Sequence, residues 1–104
     1  MSHERKSSAG WAVHPGEILK LEFLEPLGIS GYALANAIDV YPQTVNDIVL
    51  EKRGVSAEMA IRLAKYFGTT EQFWMNLQAM YDLHEAKKSI NGKLKKIKPL
   101  SRVA

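Results

Sequence analysis

Residues 30–50 read SGYALANAIDVYPQTVNDIVL, and this stretch decides the fold of the chain. Apolar residues recur at helical spacing in two short blocks, which predicts two helices joined by a turn at residues 39–41. The inward positions of the first helix are Leu34, Ala35 and Ile38, and those of the second are Val45, Ile48 and Val49. Pro42 opens the second helix at its first position, where a missing N–H costs no hydrogen bond.

Two residues in this stretch favour a steep crossing of the two helices. Ala35 is small, as a side chain must be where crossing helices come closest. Val40, in the turn, is placed to fill the gap between them. The small residue, the turn and the proline together predict a helix-turn-helix, whose second helix enters the major groove of DNA.

The outward face of the second helix carries many hydrogen-bonding side chains. Gln43 or Asn46 suits a bidentate pair with adenine, and Asp47 suits the amino group of cytosine. Tyr41 or Thr44 suits a phosphate or a thymine methyl group. A solvated polar face is the alternative interpretation of this pattern. The candidate DNA-binding residues are Tyr41, Gln43, Thr44, Asn46 and Asp47 on the helix and Lys52 and Arg53 in the following loop.

Length and composition limit the class of protein. A chain of 104 residues is sufficient for one compact domain of four or five helices and too short for a second. It contains no cysteine, which excludes a disulfide framework and a thiolate zinc site. No apolar run approaches membrane-spanning length, and the first residues lack the hydrophobic segment of a signal peptide. We therefore expect a cytoplasmic protein with no membrane partner.

The net charge of +3 is distributed unevenly along the chain. Residues 1–84 contain seven basic and ten acidic residues, a net charge of −3, whereas residues 85–104 contain seven basic residues and one acid, a net charge of +6. The expected globular part is therefore mildly acidic. Phosphate contacts must then come from few residues, from helix N-termini or from the basic tail.

The remaining sequence predicts an all-α fold, a compact five-helix domain built around the helix-turn-helix. We expect the domain at residues 14–89, a flexible arm at residues 1–13 and a basic tail at residues 90–104. Pro15 opens the first helix, and residues 25–28, EPLG, are expected to end it, since proline disfavours helical geometry in the preceding residue. The N-caps of the second, fourth and fifth helices are predicted at Ser30, Ser56 and Thr70.

The fifth predicted helix, which runs to about Ser89, carries two apolar faces. One face is expected to seal the core and comprises Phe73, Trp74, Leu77, Met80 and Tyr81. A small domain has one core, so the second face favours a symmetric homodimer, with an exposed apolar patch as the alternative. The candidate dimer residues are Met75, Ala79, Leu83 and Ala86.

Catalytic and metal-binding patterns find little support in the sequence. His84 and Glu85 match the start of a zinc-protease helix, but Lys88 stands where the second histidine ligand belongs. His14 has no acidic constellation around it and is interpreted as a residue that starts the first helix. We expect a protein that is not an enzyme and needs neither a metal nor a cofactor.

Two segments around the helix-turn-helix resemble a known family. HPGEILKLEFLEPLGIS precedes the motif and AIRLAKYFGTTEQFWMNLQAMYDL follows it. Together they resemble the HigA antitoxins of bacterial type II toxin-antitoxin systems, the VapI-like branch of the phage-repressor (XRE) helix-turn-helix group. The resemblance extends over residues 14–83, and HPGEIL and FWMNLQAMYDL are its most specific parts. It implies that the chain neutralises a HigB-type toxin, a RelE-like ribonuclease that cleaves mRNA, and represses its own operon by binding operator double-stranded DNA.

Two positions depart from the pattern of that family. Asp39 stands in the turn where glycine is usual, although aspartate tolerates the left-handed conformation better than most residues. Glu51 stands where glycine is expected after the second helix, which would shift the loop that carries Lys52 and Arg53. Two alternative functions stay open: a solitary transcription regulator without a toxin, and a protein-interaction module that no longer binds DNA.

Overall fold

The computed structural model describes residues 12–101, which form five helices and a short 3-10 helix and contain no β-strand. Helix α1 is a continuous helical run that comprises Pro15–Ile18, Leu19–Leu24 and Glu25–Leu27. The other elements are α2 (Gly31–Ile38), α3 (Pro42–Val49), α4 (Ala57–Phe67), α5 (Glu71–Ile90) and the 3-10 helix (Asn91–Lys96). This architecture confirms the predicted all-α, five-helix fold.

Side-chain caps fix the starts of three helices where the sequence predicts them. The hydroxyls of Ser30, Ser56 and Thr70 each accept the N–H of the residue three positions later, at 3.0, 3.1 and 3.0 Å. Gly28 and Gly68 end α1 and α4 with φ of 65° and 77°, the left-handed conformation typical of a helix C-terminus. Local residue chemistry thus determines these boundaries.

Helix α1 ends at Gly28, within the predicted segment, but Pro26 lies inside the helix and is not the residue that ends it. The middle of α1, Leu19–Leu24, is a π-helix, and the N–H of Glu25 donates to the carbonyl of Lys20, five residues earlier. A π-helical turn is wider than an α-helical turn, which gives the proline ring room next to the preceding carbonyls. The helix therefore continues through Pro26 and ends at Gly28.

The core forms where α2 and α3 cross and extends to α1, α4 and α5. Leu34 and Ala35 are completely buried at the crossing, and Val45 and Ile48 are buried against them. Val40 is half-buried and packs on the same cluster, as its predicted role in the turn requires. The predicted interior of the helix-turn-helix is therefore confirmed, with Val49 half-buried at its margin.

Helix α5 is rotated relative to the predicted core face. Trp74 is completely buried and packs on Phe23 and Phe67, and its indole N–H donates to Thr69 Oγ1 at 2.8 Å. The burial of this large ring fixes the rotation of α5 about its axis. Two members of the predicted core face, Phe73 and Met80, consequently remain 38% and 54% exposed.

The two ends of the described region differ in burial. Ala12 is buried and Val13 packs on the core, so the only described part of the predicted arm is ordered against the domain. The rest of that arm, residues 1–11, and the last residues of the tail, 102–104, lie outside the described residues. Residues 90–101 are exposed throughout. No helix within residues 12–101 is both long and apolar enough to cross a bilayer.

Candidate nucleic-acid interface

The N-terminal half of α3 presents the predicted polar side chains on one outer face. Tyr41 precedes the helix and is 82% exposed, and Gln43 and Asn46 are exposed on the first two turns. Thr44 and Asp47 are half-buried beside them. The structure therefore brings all five helix candidates together on a surface that a DNA major groove can contact.

Asp47 links the helix to the loop that follows it. Its Oδ1 accepts a hydrogen bond from Gln43 Nε2 at 2.7 Å, and its Oδ2 lies 3.4 Å from the guanidinium of Arg53. Its main-chain carbonyl accepts the N–H groups of Lys52 and Arg53 at 2.8 and 3.3 Å. The charge of this carboxylate is thus partly neutralised by its arginine partner.

The loop after α3 begins with a non-glycine residue in the left-handed conformation. Glu51 adopts a φ of 63°, the left-handed conformation that glycine takes most readily, and Asp39 in the turn adopts a φ of 60°. Glu51 thus adopts the conformation that the expected glycine would take at this position. Lys52 and Arg53 are both exposed next to the outer face of α3.

The start of α1 packs against the side of α3 opposite its polar outer face. His14 caps α1 by accepting the N–H of Gly16 on Nδ1 at 2.8 Å, and Pro15 occupies the first helical position. A Cβ atom on Gly16 would overlap the carbonyl oxygen of Ile48, so α1 and α3 approach backbone to backbone at this point. The HPGEIL segment therefore determines where α3 lies relative to the rest of the domain.

Arg62, on α4, holds the turn of the helix-turn-helix and was not identified from the sequence. Its Nη1 donates to the carbonyls of Ile38 and Asp39 at 2.6 and 3.3 Å, and its Nη2 donates to Glu58 Oε2 at 2.9 Å. These bonds satisfy carbonyls that the end of α2 leaves without helical partners. Because Arg62 is 24 residues from Ile38 in sequence, no local pattern indicates this contact.

Gln78, on α5, holds the far end of the loop and was also missed as a structural residue. Its Oε1 accepts the N–H of Val55 at 2.6 Å, and its Nε2 donates to Asp82 at 2.9 Å. A Cβ atom on residue 54 would lie 2.6 Å from Gln78 Oε1, so a side chain at this position would displace the amide of Gln78. The loop with Lys52 and Arg53 is thereby attached to α5.

The second apolar face of α5 is only partly as predicted. Met75 is half-buried and packs on the core, because the rotation set by Trp74 turns it inward. Ala79, Leu83 and Ala86 are exposed on the outer side of the helix. Met75 therefore fits the core better than a dimer surface, whereas the other three residues stay available to a partner.

His14 has a structural role as the N-cap of α1. Burial lowers its pKa below the ordinary value of 6.5, and the negative charges of Glu51, Asp82 and Glu17 act in the opposite direction. Its ring also packs edge-on against Tyr81, with ring centroids 4.8 Å apart. The prediction that His14 starts the first helix is confirmed.

Known proteins resemble this chain in sequence. The sequence profile of the helix-turn-helix family matches residues 21–74. Virulence-associated protein I of Dichelobacter nodosus is 52% identical over 83 residues, which cover 77% of this chain and 77% of that protein. Antitoxin HigA-1 of Vibrio cholerae is 43% identical over 89 residues, which cover 85% of this chain and 83% of that protein.

Similarity extends to solved structures. The Pseudomonas aeruginosa antitoxin HigA, solved with the higBA promoter, is similar to this chain with a TM-score of 0.83 and 53% sequence identity. The alignment covers 86% of this chain and 98% of that one. The likeness therefore includes both the fold and the sequence of nearly the whole solved protein.

Proposed function

The chain belongs to the helix-turn-helix family and, within it, to the HigA antitoxins, and from this premise we propose that it binds operator DNA through α3 and represses its own operon. The observation that carries this proposal is the polar outer face of α3. Its support from α1 at Gly16 and from α4 at Arg62 holds that face in a fixed position. A rigidly held recognition helix is what base readout requires.

We further infer that the protein neutralises a HigB-type toxin, the partner that HigA antitoxins imply. The charge distribution supports a toxin contact on the body of the domain, because a basic ribonuclease is attracted to the net charge of −3 in residues 1–84. Cells that express a HigB-type toxin from a neighbouring gene should stop growing, and co-expression of this chain should restore their growth. A solitary regulator would leave growth arrested, or would have no such neighbouring gene.

We infer that the working form is a homodimer, since two recognition helices on one DNA face engage two half-sites. The exposed Ala79, Leu83 and Ala86 support α5 as the dimer surface. An operator-binding protein meets its DNA in the bacterial cytoplasm, where we expect it to act. We also infer that it is not an enzyme, since its buried histidine caps a helix.

Binding to its own promoter DNA tests the proposed repressor. Gln43→Ala and Asn46→Ala should each cost about 1–3 kcal/mol at one operator position and leave non-specific binding intact. Lys52→Ala is the matched control, because loss of a phosphate contact weakens binding to all sequences alike. A uniform loss for all three variants in gel shifts would show that α3 does not read bases.

A protein-interaction module is the second candidate function, and the acidic body of the chain favours it. Operator binding releases counterions, so its affinity should fall steeply as salt rises. An interaction module would bind its protein partner with a shallow salt dependence and show no preference for promoter DNA. A salt titration with promoter and unrelated duplexes separates the two functions.

A further inference from the structure

We propose that Asp47 does not read a base and instead positions Gln43 so that α3 selects adenine in the major groove. This inference rests on the proposed operator binding and deepens it, since it assigns one base to one side chain. It replaces the expectation that Asp47 contacts the amino group of a cytosine.

The hydrogen bond between the two side chains orients the amide of Gln43. Gln43 Nε2 donates to Asp47 Oδ1 at 2.7 Å across one turn of α3. The carboxylate of Asp47 offers only acceptors, so the amide nitrogen of Gln43 must face it. The amide oxygen is consequently directed away from Asp47, on a side chain that is exposed.

The groups that remain free on Gln43 match one base. The Nε2 atom has two hydrogens and Asp47 takes one, which leaves one N–H donor beside the Oε1 acceptor. Adenine offers the complementary pair in the major groove, the N6 amino group as donor and N7 as acceptor. Guanine offers two acceptors, O6 and N7, so an oriented Gln43 would place its oxygen against another oxygen.

Asp47 is already engaged by protein groups. Its Oδ1 holds Gln43, its Oδ2 lies 3.4 Å from Arg53, and its side chain is only 18% exposed, compared with 51% for Arg53. Contact with a cytosine amino group would compete with these partners. Asp47 is therefore a positioning residue that acts on a base through Gln43.

Selection from a library of random duplexes gives the test. Wild-type protein, Gln43→Ala, Asp47→Ala and Asp47→Asn are each selected, with Gln72→Ala, at an exposed glutamine on α5, as the control outside the DNA-binding face. Wild-type protein should prefer adenine over guanine roughly 10- to 100-fold at one position of each half-site. Gln43→Ala should lose that preference, and 7-deaza-adenine at the position should weaken wild-type binding but not Gln43→Ala.

The Asp47 variants separate positioning from direct readout. In Asp47→Ala the amide of Gln43 is free to rotate, and in Asp47→Asn it meets a partner that both donates and accepts. Both variants should therefore accept guanine at the position that Gln43 reads, with the preference reduced to a few-fold, while Gln72→Ala keeps the wild-type preference. Circular dichroism confirms that each variant is folded, and Asp47→Asn keeps the shape of the side chain if Asp47→Ala is unfolded.

Three results would overturn the inference. Loss of a cytosine or guanine preference at a different position in the Asp47 variants would show that Asp47 reads a base directly. An unchanged adenine preference in folded Asp47 variants would show that Gln43 needs no positioning. A wild-type protein that selects no sequence at all would refute the proposed repressor itself. Sequence-specific binding that does not depend on Gln43 would refute only the inference about Gln43 and Asp47.

Discussion

His14 is enclosed by the domain whose first helix it caps. Its Nδ1 accepts the N–H of Gly16, and its ring packs against Tyr81 on α5. A protonated imidazole loses the acceptor at Nδ1 and adds a charge in a buried place, which explains why burial lowers its pKa. One residue thus makes the packing of α1 on α5 sensitive to acid.

The stability of the domain should consequently fall in mild acid. The unfolded chain binds a proton near the ordinary pKa of 6.5, whereas the folded chain binds it only at lower pH. The free energy of unfolding is therefore highest above about pH 6.5 and decreases as the pH falls below that value. Melting temperatures from about pH 8 to pH 5 should show this slope.

His14→Asn provides the comparison, because asparagine caps a helix without a titratable ring. The variant should melt lower at all pH values, since it lacks the Tyr81 contact, but its pH dependence should be flatter. Equal slopes in wild type and His14→Asn would assign the acid sensitivity to other groups.

Individual residues also show where sequence reasoning reaches its limit. The interior of α2 and α3 follows from spacing, because Leu34, Ala35 and Ile48 lie close in sequence and share one period. Arg62 and Gln78 act over more than 20 residues, and a polar side chain that bonds a distant backbone group leaves no periodic signal. Their roles are visible only after the helices are placed.

Helix α1 shows how a backbone contact positions a functional element. It passes Pro26 through a π-helical segment, and at Gly16 it touches the backbone of α3. The sequence predicts the start of this helix from Pro15, but the contact with Ile48 joins residues 32 positions apart. No property of the HPGEIL segment alone indicates which backbone its glycine approaches.

Gly16→Ala should therefore displace α3 or α1. The added methyl group overlaps the Ile48 carbonyl, and overpacking of this kind costs about 1–3 kcal/mol of unfolding free energy. Operator affinity should fall further than stability alone explains, because the recognition helix moves. Gly92→Ala is the control, since a Cβ at residue 92 meets no atom within 4 Å. Equal denaturation midpoints for the two variants would contradict this account.

Helix α5 shows that an apolar face in the sequence does not by itself predict which of its residues are buried. The sequence pattern treats Phe73, Trp74 and Met80 as equivalent, but the indole of Trp74 fills the core and fixes the rotation of the helix. Gln78 also lies on the half-buried side, because its hydrogen bond to Val55 compensates for the lost water. Phe73 and Met80 therefore extend the outer apolar face.

At the scale of the whole molecule, that outer face of α5 predicts the state of assembly. A combined Ala79→Glu and Leu83→Glu variant should remain folded, because both positions are exposed, and Leu83 is 58% exposed. It should sediment as a monomer and lose most of its operator affinity, since one particle then engages only one half-site.

Ile61→Glu on α4 is the matched control, because Ile61 is a similarly exposed apolar residue at 54%. It should leave the dimer intact. A double variant that sediments like the wild type would place the dimer interface outside this part of α5.

The separation of charge along the chain predicts how the tail contributes. Truncation after Ser89 removes a basic segment whose described part is exposed throughout. If the tail contacts DNA, the slope of log affinity against log salt should decrease by roughly 0.9 per lost phosphate contact, with base preference unchanged. If it contacts the toxin, DNA binding should persist while neutralisation fails. An unchanged salt slope after truncation would exclude a contact between the tail and DNA.

The glycine at residue 16 also affects how the chain can change over generations. Every amino-acid change that one nucleotide can make in a glycine codon introduces a Cβ atom, and the Ile48 carbonyl leaves no room for it. Natural variation at this codon should therefore be almost entirely synonymous. Exposed positions of α3 such as Gln43 and Asn46 have no such barrier. Operator preference can then diverge between relatives while the placement of the recognition helix is inherited unchanged.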